Sequence, residues 1–285
     1  MMTDALYTLH LPADEAIPLV CDSPHSGTDY PEDFRHAVPR AILRAAEDTH
    51  VEALWAGVPR VGGTLLEAHF PRSYLDLNRM LDDIDPELLE SAWPAPLHPG
   101  EKTRLGSGLI WRSVKGGTPI YDRKLPVAEV RARIERCYQP YHASLQQAVQ
   151  DAHARFGKLW HLNLHSMPNN AYERLKIRSD KPLADFVLGD RDGTTCEPGF
   201  LDLVESHLRG CGYTVARNDP YKGVQLIANI GRPALRRYSM QIEIRRPIYM
   251  DENTRERNAN FGVVRRDIDA LLTRVAAYIR DAVVR

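Results

Sequence analysis

Cysteine is scarce: four residues in 285, Cys21, Cys137, Cys196 and Cys211, lie far apart and form no C-x-x-C pair. This spacing excludes a cysteine-based zinc site and a dense disulfide framework, and it fits a reducing compartment. No stretch approaches the roughly 20 apolar residues of a membrane span. Met1 to His10 likewise lack the apolar core of a secretory signal. The expectation is a cytoplasmic protein without a membrane partner. Neither sign of charge is in surplus, because 37 Lys and Arg face 38 Asp and Glu for a formal net charge of -1. No basic patch interleaved with aromatics is present, which argues against a nucleic-acid partner. Repeats and low-complexity tracts are missing too, and nothing in the sequence speaks to oligomeric state.

What remains is the composition of a globular protein: 43% hydrophobic and 26% charged residues, enough to bury a sizeable core. The length suits a single large α/β domain over residues 1–285. Ile17 to Asp22 reads as a buried strand emptying into the turn Ser23-Pro24-His25-Ser26-Gly27. Arg40 to Trp55 has helical spacing, and Thr64 to Ala68 and Ser73 to Leu77 read as short strands. Residues 93–126 are rich in Pro and Gly (Pro94, Pro96, Pro99, Gly100, Gly106, Gly108, Gly116, Gly117) and form a loop-rich insertion, either an active-site cover or a small hairpin. Val127 to Phe156 is helical with a break at Pro140. Strands follow at Leu159 to Leu164, Ala184 to Leu188, Tyr213 to Arg217 and Met240 to Arg245. Phe200 to Leu208 reads as a helix, and a long amphipathic helix begins at about Thr254. Alternating strands and helices predict an α/β/α fold of three layers around a mostly parallel mixed sheet. In such sheets chemistry gathers at the carboxyl ends of the strands.

Histidines and carboxylates collect at those ends. His25 follows the first strand, Asp48 lies on the next helix, Asp76-Leu77-Asn78-Arg79 closes another strand, and His165 ends the central one. Glu243 sits within the last. Alternation puts His161, Asn163 and His165 on one face, and Gln241, Glu243 and Arg245 on one face of their own strand. Any one of the 11 histidines alone reads as a surface or hydrogen-bonding residue. Jointly, two histidines and a carboxylate with a fourth position open form a ligand set of catalytic zinc. A carboxylate within an apolar strand needs a partner, and Glu243 beside such a cation is placed to move a proton.

These residues resemble a family. Pro24-His25-Ser26-Gly27, Asp48-Thr49-His50, Leu75-Asp76-Leu77-Asn78-Arg79, Asn163-Leu164-His165-Ser166-Met167-Pro168, Asp219-Pro220-Tyr221-Lys222-Gly223 and Gln241-Ile242-Glu243-Ile244 look like N-formylglutamate amidohydrolases, in order, from about Pro18 to Asn253. The resemblance implies a zinc-carboxypeptidase-like fold and hydrolysis of N-formyl-L-glutamate to formate and glutamate, a late step of histidine breakdown. It implies one divalent metal, zinc above all, held by His25, Asp48 and His165, with Glu243 as the catalytic base. By analogy with aspartoacylases and zinc carboxypeptidases, Asn78 and Arg79 would hold a substrate carboxylate and Arg72 would polarise the acyl oxygen. Arg112 and Arg245 are candidates for the second carboxylate.

The chain departs from its wider relatives in two places. Three residues beyond His25, where related zinc enzymes carry Glu, stands Thr28, so the carboxylate ligand is Asp48 or its rival Asp22. Beyond Lys222-Gly223 comes Val224 rather than a second glycine, which bears on acyl specificity. Ser166 lies in no G-x-S-x-G elbow, and Asp190-Arg191-Asp192-Gly193 reads as a turn rather than a calcium loop. Two other functions fit the same residues: an amidohydrolase of another N-acyl amino acid or peptide amide, and a metal-free protein that binds acidic ligands.

Overall fold

The computed structural model describes residues 6–114 and 117–284, so Gly116 of the Pro- and Gly-rich stretch lies outside the described residues. In chain order the elements are β1 (Tyr7–His10), β2 (Leu19–Ser23), α1 (Arg40–Arg44), α2 (Val51–Leu54), β3 (Thr64–Ala68), α3 (Glu101–Arg104), β4 (Ser113–Val114) and β5 (Thr118–Pro119). There follow α4 (Val127–Arg133), α5 (Gln139–Phe156), β6 (Leu159–Met167), α6 (Ala171–Arg174), β7 (Phe186–Gly189), α7 (Pro198–Gly210), β8 (Val215–Arg217), α8 (Gln225–Ile230), β9 (Arg237–Arg245) and α9 (Phe261–Val284). A seven-stranded sheet runs β1-β3-β2-β6-β9-β7-β8. Its four central strands, β3, β2, β6 and β9, are mutually parallel, while β1 and β7 join antiparallel. The α/β class and the mostly parallel mixed sheet are as expected.

Side-chain alternation decides what each face of this sheet holds. Trp160, Leu162 and Leu164 of β6 and Met240, Ile242 and Ile244 of β9 bury one face against Trp55, α7 and α9. On α9 the buried positions Phe261, Val264, Ile268, Leu271, Leu272, Val275 and Ile279 keep one helical stripe. Each fully buried aliphatic side chain there stabilises by roughly 1.5–3 kcal/mol. The other face packs Val20 and Leu66 against Tyr141, Leu145 and Val149 of α5. Along β6 and β9, however, that face is polar: His161 opposes Ser239, Asn163 opposes Gln241, and His165 opposes Glu243.

The lower part of this polar stripe is closed upon itself. Asp22 Oδ1 accepts from Asn163 Nδ2 at 2.9 Å and lies 3.0 Å from His161 Nε2, while Tyr141 donates to Asp22 Oδ2 at 3.2 Å. His161 Nδ1 in turn meets Ser239 Oγ at 2.8 Å. A buried polar group is tolerated when its neighbours satisfy it, and these do.

Several expected elements differ. Arg40 to Trp55 is two short helices, because the intervening turn carries Asp48, whose N–H donates to the His25 carbonyl at 3.0 Å, and His50, which adopts φ 71°. Ser73 to Leu77 is a run of turns rather than a strand. Its continuous burial comes from Tyr74, Leu75 and Leu77 entering the core, not from pairing. The last helix starts at Phe261, since Asp251 and Asn258 side chains accept from nearby backbone N–H groups and hold local turns instead. The break before Pro140 is a π-helical turn over Ile134–Tyr138. Residues 93–126 contain α3 and the two-stranded β4–β5 ribbon. Gly27 is required where it stands, because a Cβ there would lie 2.3 Å from the His69 backbone. That close approach lets the turn carrying His25 seat against the exit of β3.

Candidate metal centre and active-site cavity

Strands β2, β6 and β9 point their carboxyl ends the same way, and three expected residues meet there. His25 comes from the turn after β2, His165 from β6, and Asp48 from the turn pinned to His25 by a backbone hydrogen bond. One donor atom from each lies within 4.8 Å of the other two, and all three residues are buried. His165 Nδ1 is 3.0 Å and His25 Nδ1 is 3.6 Å from Asp48 Oδ2.

The opposite ring nitrogens are already occupied. His25 Nε2 lies 2.7 Å from Asp76 Oδ1. His165 Nε2 lies 2.7 Å from Asn163 Oδ1 and 2.8 Å from Asn78 Nδ2. In the tautomers that carry the proton on Nε2, the Nδ1 lone pairs of both rings face Asp48. His25 Nδ1 is buried with no hydrogen-bond partner, which is costly for a polar atom unless something else satisfies it. Two imidazole nitrogens and one carboxylate, each ring oriented by a second partner, fit a divalent cation.

The carboxylates around this group are tuned in opposite directions. Burial pushes the Asp48 carboxyl up, but the His165 and His25 rings against it and the charges of Arg72 and Arg246 hold it well below the usual range. Asp76 is also buried and is held low by Arg72, Arg79 and His25. It accepts from Arg72 Nη2 at 3.0 Å, Trp111 Nε1 at 3.1 Å and the Asn78 N–H at 3.0 Å, which makes it a hub under the site. Glu243 goes the other way. Burial, with the like charge of Asp48 and against the pull of His165, pushes it up to about 7. Gln241 Nε2 donates to its Oε1 at 2.8 Å. A cation beside it would draw the carboxyl back down.

A cavity of about 930 Å³ opens over these residues, lined by His25, His165, Glu243, Arg72, Asn78 and Arg79. Arg72 stacks on Trp111 at 5.2 Å and keeps Nη1 4.0 Å from Asp48. Arg79 donates to the carbonyls of Ser107 and Asn78 at 2.9 and 3.0 Å, with Nη2 still 3.6 Å from Asp76. Asn78 Nδ2 donates to Asn163 Oδ1 at 3.2 Å and lies 2.8 Å from His165 Nε2, and the Asn78 Oδ1 is buried without a partner.

Two expected arginines are elsewhere. Arg112 lies outside the cavity in ion pairs with Asp85 at 2.7 Å and Glu87 at 3.1 Å. Its neighbour Trp111 turns inward to Asp76, while the two carboxylates hold Arg112 outside. Arg245 reaches sideways to Asp185 at 2.5 Å and lines a separate groove at the β7–β8 edge. It ends β9 beside the start of β7, where Asp185 is within reach. The residue that enters the site is Arg246, in the turn that follows. It donates to Asp48 Oδ1 at 3.0 Å, to Ser166 Oγ at 3.1 Å and to the Ala45 carbonyl at 3.2 Å. Ser166 is thus a bracing group, and Asp22, the rival to Asp48, stays in the network with His161.

Arg246, Asp76 as the hub, and Lys102 at the cavity wall were not reached from the sequence. The Arg-Arg doublet closing β9 was the available signal for the first. His50 Nε2 lies 3.0 Å from the Arg255 carbonyl and ties the Asp48 turn to the segment before α9.

Comparison with known proteins agrees over most of the chain. A family model described as N-formylglutamate amidohydrolase matches residues 17–250. The solved structure of N-formylglutamate amidohydrolase from Ralstonia eutropha is 70% identical, covers 98% of this chain and 99% of that one, and superposes with a TM-score of 0.96. Two curated relatives, the N-formylglutamate deformylases of Pseudomonas aeruginosa and Pseudomonas putida, are 28% and 27% identical over 240 residues, 83% of this chain and 83% of each relative.

Proposed function

The chain belongs to the N-formylglutamate amidohydrolase family, and from that premise we propose that it releases formate and L-glutamate from N-formyl-L-glutamate at a divalent cation held by His25, Asp48 and His165. It is an amidohydrolase acting on a small molecule. The observation that carries the metal is the buried, unpartnered Nδ1 of His25 facing the other two donors. Zinc suits this donor set, and when bound it supplies a Lewis acid and a more acidic water.

The protein's own groups do the rest. Glu243, opposite His165 across the β6–β9 pair, accepts a proton from the attacking water and returns it to the leaving nitrogen as the C–N bond breaks. Arg72 donates to the oxygen that gains negative charge, a kind of contribution worth about 3–4 kcal/mol. Asn78 and Arg79 hold the α-carboxylate. Arg246 keeps Asp48 ionised and in place. The cationic wall of Arg72, Arg79 and Lys102 favours a substrate with negative charge.

We read residues 1–285 as one amidohydrolase unit in which 93–126 covers the site. Four free cysteines suit a reducing cytoplasm, and the reaction suits a late step of histidine breakdown. Among the described residues no helix is long and apolar enough to cross a membrane.

The test is a panel of N-formylglutamate, N-acetylaspartate and a muramoyl peptide, run with and without zinc. We expect release of glutamate from the first to dominate and a chelator to abolish it. Binding without turnover and without stoichiometric zinc would instead support a metal-free acidic-ligand protein. A separate expectation concerns Asp76. Asp76→Asn weakens its hold on the His25 ring and lowers zinc affinity by about 10–100-fold, measured by competition with a chromogenic chelator.

A further inference from the structure

Segment 93–126 contributes to the cavity one cation for which the mechanism above names no specific partner. Lys102, on α3, lines the cavity. Among the described residues its ammonium makes no ion pair or hydrogen bond, in contrast to the arginines around it. Arg72 is paired with Asp76, Arg246 with Asp48, and Arg79 with two carbonyls. Across the cavity, Arg174 feels the charges of Glu252 and Glu173. Three cations on one wall with one shared carboxylate beneath them leave an anion wanting, and the substrate brings two.

The two substrate carboxylates stand at different distances from the scissile amide. Only the nitrogen and the α-carbon separate the formyl carbon from the α-carboxylate, so that group must bind beside the residues that hold the ligands. Asn78 touches His165 at 2.8 Å, and Arg79 approaches Asp76, the partner of His25, at 3.6 Å. The side-chain carboxylate lies two methylenes further out. Lys102 makes no hydrogen bond or ion pair with the ligands or their partners and lines the cavity from the segment we read as its cover.

We propose that Lys102 is the specificity-determining residue for the substrate's side-chain carboxylate, so that the cover segment reads whether the amino acid is acidic. The inference rests on the hydrolase reading above and deepens it. A flexible ammonium can follow a carboxylate on a short flexible chain, whereas a second fixed guanidinium would demand one geometry.

The experiment compares N-formyl-L-glutamate with N-formyl-L-glutamine, which replaces only the side-chain charge, in the zinc-loaded wild type, Lys102→Met and Lys102→Arg. Wild type should prefer the glutamate substrate. In Lys102→Met that preference, as the ratio of kcat/KM values, should fall by about 30-fold, the usual effect of removing a charged hydrogen bond. The loss should reside in KM for N-formylglutamate, with a much smaller change in kcat. Lys102→Arg, which keeps the charge in a more demanding geometry, should retain part of the preference and stay above Lys102→Met. A Lys102→Met ratio within about threefold of wild type overturns the inference, including the case in which both substrates lose activity together through damage to the fold. Wild type that hydrolyses neither substrate would overturn the functional reading itself, an outcome distinct from either.

Discussion

His165→Ala should reduce turnover of N-formylglutamate by at least about 10³-fold and leave the purified protein with far less than one zinc per chain. The argument is local. His165 supplies one of three donors, and alanine leaves His25 and Asp48 too few to hold a cation with the fourth position open. The fold should survive, because Asn78 and Asn163 already hydrogen-bond each other at 3.2 Å and Asp48 keeps Arg246. This makes His165 a better probe than Asp48, whose loss would strand a buried guanidinium, a change that commonly costs about 3–5 kcal/mol. Zinc analysis and circular dichroism of the same sample separate metal loss from unfolding. Full zinc occupancy together with wild-type turnover would remove the metal from the mechanism.

Glu243→Gln should lower kcat by about 10²–10⁴-fold while KM and bound zinc change little. The amide has nearly the same shape as the carboxylate and can still meet Gln241, but it cannot accept a proton. Metal content therefore distinguishes this variant from the first: His165→Ala fails for want of a cation, Glu243→Gln with the cation present. If Glu243→Gln turned over substrate within threefold of wild type, the proton would have to travel through another group.

The sequence made the strands and their polar stripe readable because alternation is a geometric rule. Leu159 to His165 and Met240 to Arg245 announce two faces, and once β6 and β9 lie parallel the rule also sets His165 against Glu243. The rule failed where the chain leaves the strand. It selected Arg245 for the polar face, but that position is the last of β9 and its side chain turns to Asp185, while Arg246 in the following turn points into the cavity. Ser73 to Leu77 misled for a related reason, since burial in a wrapped loop produces the same apolar run as pairing in a sheet. Asp48 was legible as the carboxylate ligand only through resemblance. What sets it against His25 is a backbone hydrogen bond between two turns, which leaves no periodic trace. Lys102 was hidden for the opposite reason. It lies on a four-residue helix inside a Pro- and Gly-rich stretch, and its neighbours across the cavity are remote in sequence.

The pairing of β6 with β9 runs over nine residues, from Leu159↔Arg237 to Met167↔Arg245, and His165 and Glu243 face each other within it. Their separation is thus set by backbone bonds that no single side-chain replacement disturbs. A protein built this way separates two demands: the paired strands hold the reacting groups at a fixed spacing, and the segment we propose as the cover, residues 93–126, can change without moving them.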